Sequence, residues 1–192
     1  HSPIAEAMPH LVALAERSLQ TYDNTSIGSI TKYYIDEGVK VDSSVRKVYL
    51  IEHTKDYLDT IQVVIDKFYR PWLDKLTNQF QSLVKDDYDV FYPNETEDYN
   101  SNFILFVDAF RYDIAQDFLN QLSTTKYDAS IDVKWSALPS LTPTSKPVLA
   151  PIQDKLSKSS EWNSFQVQLE NGKILSHHYF KASLEENGIH YI

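Results

Sequence analysis

The 192 residues read as an α/β chain: a helical N-terminal region over residues 1–86, then the first part of a parallel-sheet domain over 103–192. Three observations predict this. Apolar residues recur at three- and four-residue steps as far as Val84. Two short, bounded apolar runs, Asn102 to Asp108 and Ile131 to Leu138, flank a stretch of helical period. Between the halves lies an acidic connector, 87–102, rich in Asp and Glu with Pro93 inside it.

Taken in order, Ile4, Ala5, Met8, Leu11, Val12, Leu14, Ala15 and Leu19 paint one face of a first helix, which Pro9 should bend or delay. Thr25 or Ser26 can cap a second, carrying Ile27, Ile30, Tyr33 and Tyr34 and closed by Gly38. Ser43 or Ser44 can start a third through Val45, Val48, Tyr49 and His53. From Thr54 a long stripe runs through Tyr57, Ile61, Ile65 and Phe68; Pro71 should kink or end it, and Trp72 to Val84 continue it. Such spacing makes these aromatics helix core.

In the second half, strand, helix (Ile114, Ala115, Phe118, Leu119, Leu122) and strand imply a βαβ unit with parallel strands. The tail offers a hairpin at Phe165 to Leu175 turning on Asn171-Gly172, a helix over Tyr179 to Asn187 stopped by Gly188, and a further strand beginning at Ile189.

Composition excludes several classes. Acidic residues outnumber basic ones 27 to 18, a net charge of −9, which disfavours a stand-alone nucleic-acid clamp but not an enzyme that holds phosphate through metal. With no cysteine, disulfide scaffolds, zinc fingers and thiol nucleophiles are out, and a cytosolic setting fits. No apolar stretch is long enough to span a membrane, and no signal peptide or Gly-rich nucleotide fingerprint is seen. The chain opens on His1 rather than Met, which suggests an excised segment or a tag remnant.

Two places can carry chemistry. Asp108 ends the first apolar run, where the carboxyl ends of strands form a ligand crevice in open α/β sheets. Its carboxylate suits a hard metal ion, an ion pair with Arg111, or a helix cap. Thr142-Pro143 follows the second run and is a helix start, Thr as cap and Pro as first helical residue. Its hydroxyl can attack phosphorus, hold phosphoryl oxygens, or simply cap. Together, Asp and Thr at adjacent strand ends would make the opening half of a metal-dependent phosphoryl-transfer site, both facing one crevice.

The run Phe106-Val107-Asp108-Ala109-Phe110-Arg111-Tyr112-Asp113-Ile114-Ala115 resembles the "DxxRY-hydrophobic-A" motif of PglZ domains. Ala137-Leu138-Pro139-Ser140-Leu141-Thr142, continuing to Lys146-Pro147-Val148-Leu149-Ala150-Pro151, resembles their second motif, "PSxT…L-x-P". Order and separation agree, over 103–192, and the tail Leu184 to Ile189 adds to the match. The helical half resembles the region preceding the PglZ domain in bacterial anti-phage BREX proteins.

The resemblance implies an alkaline phosphatase-like fold with a site for two divalent metals, usually zinc, and phosphodiesterase or nuclease-type hydrolysis. By the same resemblance Asp108 is a metal ligand, Thr142 is the nucleophile and also a metal ligand, and Ser140 and Lys146 assist substrate binding. Other defence-complex proteins are implied as partners, nucleic acid as a possible substrate, no membrane, and a cytoplasmic setting. The family's later Asp and His ligands find no match after Thr142. His177 and His178 are adjacent and would face opposite ways in a strand, so they read as surface residues, while His53 reads as packed or half exposed. The chain is therefore expected to be a fragment, inactive alone, with an incomplete metal site. A non-catalytic adaptor for defence proteins is the rival class, and a generic α/β binding module the third.

Overall fold

A computed structural model describes residues 2–51, 54–85, 103–122, 126–157 and 166–190. The expected connector and His53 lie outside them. The described residues fall into two compact units, one drawn from His1–Asp86 and Arg111–Ile131, the other from Asp87–Phe110 and Asp132–Ile192.

In the first unit, α1 (Pro3–Ser18), α2 (Ile27–Tyr33), α3 (Val39–Tyr49) and α4 (Lys55–Val84) bury many of the residues that the sequence period marked, while Met8, Val12, Leu19 and Tyr49 stay exposed. Leu14, Ile30, Tyr33, Val41, Ile65, Trp72 and Leu76 form one apolar cluster. Ala7, Leu11, Val48, Tyr57 and Ile61 form another. Ser26 caps α2: its Oγ accepts the Ser29 amide at 3.1 Å while Ser29 Oγ accepts the Ser26 amide at 3.1 Å.

Three punctuation marks behave differently from their sequence reading. α1 starts at Pro3 and continues past Pro9, so Pro9 does not delay it. Gly38 does not close α2. The chain runs through a π-helical turn, Tyr34–Gly38, directly into α3, whose start lies ahead of Ser43. Gly38 is needed for close approach instead: a Cβ there would lie 2.9 Å from Tyr34 Cδ2 and 3.4 Å from Trp72 Cζ2. Pro71 sits on the exposed side of α4 and does not end that 30-residue helix. Proline removes one backbone bond, and the packing of Ile65, Trp72 and Leu76 on either side outweighs it.

The parallel-sheet expectation is overturned: among the described residues there is no strand and no sheet. Phe103 to Val107 and Ile131 to Ser136 carry no ladder, and Phe103, Leu105, Val133 and Trp135 are exposed. An apolar run becomes a doubly buried strand only where neighbours take up its backbone groups and cover both faces. Here the expected crossover helix, α5 (Tyr112–Leu122), groups with the helical unit and packs on α3, so no βαβ unit is built. The strand expected from Ile189 is likewise not seen at 189–190, and 191–192 lie outside the described residues.

The second unit has α6 (Thr142–Leu149), a 3-10 turn at Gln153–Lys155 and α7 (His177–Glu186). Its core is Ala137, Val148, Ala150, Ile152, Leu156, Val167, Phe180 and Leu184. The Asn171-Gly172 hairpin exists in miniature. Gln168 and Ile174 form an antiparallel bridge, with Gly172 at φ 77° in the turn. Ser176 caps α7, and Gly188 ends it as the sequence predicts. Gly188 N–H bonds Glu185 O at 3.0 Å and Ile189 N–H bonds Leu184 O at 2.9 Å, the Schellman pattern. Among the described residues no helix is long and apolar enough to cross a membrane.

Candidate functional site

Asp108 and Thr142 meet. Thr142 Oγ1 donates to Asp108 Oδ2 at 2.9 Å across 34 positions of chain, and both side chains are exposed. They do so without the strand ends expected to present them. Asp108 lies in a turn after the exposed run. Its other oxygen, Oδ1, accepts the Ala109 amide at 2.9 Å. Ala109 has φ 55°, a left-handed conformation costing about 1–2 kcal/mol for an alanine. Strain of this kind gathers where a side chain must be aimed.

Thr142 is the first residue of α6, with Leu141 in the cap position; the sequence reading placed Thr142 itself there. Thr144 serves the cap: its buried Oγ1 accepts the Leu141 amide at 3.1 Å and donates to the carbonyls of Leu141 and Pro139. The Leu138-Pro139 bond is cis. This terminus offers an anion fewer free N–H groups than the sequence suggested. Pro143 has no amide hydrogen, and the amides of Thr144 and Ser145 bond Leu141 O at 3.0 and 2.7 Å.

Ser140 Oγ is 3.1 Å from Ser136 Oγ and 3.5 Å from Ser145 Oγ, a trio of hydroxyls beside the first turn of α6. Lys146 lies one turn beyond Thr142 on the same helix face. Its ammonium sits 5.5 Å from the Phe106 ring centroid and 5.3 Å from that of Phe180. Ser136 and Phe180 were not singled out by the sequence, and Phe106 entered only within the first motif; the flanking of Asp108 and Thr142 by hydroxyl and aromatic residues is the one hint of their place here.

The two-zinc site implied by the PglZ resemblance is not assembled among the described residues. Asp108 Oδ2 and Thr142 Oγ1 are already hydrogen-bonded to each other, and Asp108 Oδ1 accepts the Ala109 amide. No group of three His, Asp or Glu side chains is placed to hold an ion. A closed zinc site takes four ligands. His177 and His178 open α7 rather than a strand, and both are exposed.

Arg111, offered above as a partner for Asp108, makes its ion pairs elsewhere in the helical unit. Arg111 Nε donates to Asp113 Oδ1 at 2.9 Å, and Arg46 Nε to Asp113 Oδ2 at 2.7 Å. Arg46 also pairs with Asp117, and Arg111 lies 3.7 Å from Asp42. Asp42, itself buried, accepts from Tyr34 at 2.5 Å and Tyr69 at 2.8 Å. Burial, with the Asp42 charge beside them, pushes both phenols up. At Asp113 burial alone would raise the carboxyl; the two guanidinium bonds outweigh it and hold the group below the usual range. This network joins α3, α4 and α5 and is absent from the sequence reading.

No family model, curated protein or solved structure matches the chain.

Proposed function

We propose that this chain carries the nucleophile of a metal-dependent phosphoester hydrolase, of phosphodiesterase or nuclease type, working in a bacterial anti-phage defence system in the cytoplasm. Partners would be other proteins of that system, and nucleic acid is a possible substrate. The reading is supported by the resemblance to PglZ motifs and by one observation above all. The two residues that those motifs nominate as metal ligands, Asp108 and Thr142, are far apart in sequence and hydrogen-bonded at 2.9 Å, both side chains exposed.

In the proposed reaction Thr142 Oγ1 forms a bond to phosphorus, and the bond from phosphorus to the leaving alcohol oxygen breaks opposite it. Asp108 and Thr142 would hold the metal that the motifs imply, which would lower the pKa of the Thr142 hydroxyl; the proton that hydroxyl loses passes through solvent to the departing alkoxide. Water then opens the Thr142 ester and restores the hydroxyl. The metal requirement, zinc by resemblance, rests on the same motifs.

Dialysis against a chelator tests that requirement in the protein as its gene encodes it. Hydrolysis of bis(p-nitrophenyl) phosphate should be lost and should return with added zinc or manganese. Turnover indifferent to chelation would contradict metal dependence.

The adaptor reading has one observation in its favour: α1 leaves Met8 and Val12 exposed, with Leu19 just beyond its end. A metal-loaded protein that hydrolyses no phosphoester yet binds other defence proteins would make it the better account.

A further inference from the structure

We infer that Lys146 is a positioning residue: its ammonium clamps the Phe106 ring to α6 and α7, and so sets where Asp108 meets Thr142. Exposure alternates over the first four residues of the preceding run, with Phe103 and Leu105 at 107% and 87% but Ile104 and Phe106 at 44% and 43%, and the alternation ends at Val107, at 50%. That period of two marks 103–106 as extended chain. Asp108 opens the turn two residues after Phe106, so holding the ring limits where the carboxylate can lie. On α6, Thr142 and Lys146 are four apart and share a face.

The two pairs face each other, Asp108 on Thr142 at 2.9 Å and Phe106 on Lys146 at 5.5 Å. Lys146 is held from its other side, 5.3 Å from the ring of Phe180, a buried core residue. The ammonium therefore bridges an exposed ring to a fixed one. Among the described residues this run has no ladder to set its register, and the bridge ties it to the core. Both ring distances lie within the range at which a cation is attracted to an aromatic face.

The role in catalysis rests on the hydrolase reading, but the geometry can be tested without turnover. The chain has no cysteine, so an Asp108→Cys/Thr142→Cys variant carries a single thiol pair. Diamide, accepting two electrons and two protons, oxidises that pair to a disulfide at a rate that reports how often the two positions meet.

Adding Lys146→Met should slow closure about tenfold, whereas Lys146→Arg, which keeps a cation over both rings, should stay within about twofold. Phe106→Ala, at an exposed position, should slow it as much as Lys146→Met, and the two together no more than either. Unchanged closure in Lys146→Met, an Arg variant as slow as Met, or a parent pair that does not close would overturn the inference. If the rates behave as stated while Thr142→Ala still hydrolyses phosphoesters, the hydrolase reading falls and the clamp stands.

Discussion

Thr142→Ala should lower phosphodiester hydrolysis by at least about a thousandfold, measured in the protein as its gene encodes it, while the fold stays intact. A hydroxyl that forms the bond to phosphorus has no substitute at that position. Its structural work is small. The cap of α6 is made by Thr144, and the bond from Thr142 to an exposed Asp108 is worth about 1 kcal/mol. Thr142→Ser, which keeps the oxygen, should retain most of the rate. A Thr142→Ala protein as active as its parent would leave Thr142 a helix-start residue and make Ser140 the next candidate.

The second large effect is on stability. Asp113→Ala should cost the helical unit about 3 kcal/mol in urea unfolding at neutral pH. Removing one member of a buried ionic group strands its partners, at about 3–5 kcal/mol. The lower end applies because the side chains of Arg46 and Arg111 reach water, being 23% and 52% exposed, while Asp113 is 1% exposed. The cost should depend on pH with a definite sign. A carboxyl held below its unfolded value contributes fully above that value, about pH 4, and loses the contribution as pH falls through the folded one. The gap between parent and variant should therefore be constant at neutral pH and shrink in acid. A gap that widens in acid would mean that burial, not the two arginines, governs Asp113.

Helices were legible because their evidence is local. Leu14, Ile61 and Ile65 fall on a 3.6-residue period, and that period is what packing uses. Pro71 and Gly38 were misread because a breaker is judged against local propensity, whereas α4 is held by the packing of Ile65, Trp72 and Leu76 in the core and Gly38 by its close approach to Trp72. The two apolar runs were misread for a related reason. Phe103 to Val107 has the composition of a strand, but a strand is made by its neighbours, and composition names none.

The site followed the opposite course. Residue identity and motif spacing brought Asp108 and Thr142 together although the sheet meant to present them is missing among the described residues. The Arg46 pairings with Asp113 and Asp117 span 67 and 71 positions. Their one sequence trace is two acids four apart on α5 with no base on that helix to answer them.

The most direct measurement is to quench the protein during turnover of a phosphodiester and locate any covalent phosphoryl adduct by peptide mass spectrometry. The adduct should sit on Thr142 and be absent from Thr142→Ala. Turnover that proceeds with Thr142 never modified, or with the adduct on another residue, would contradict the assignment of Thr142 as nucleophile.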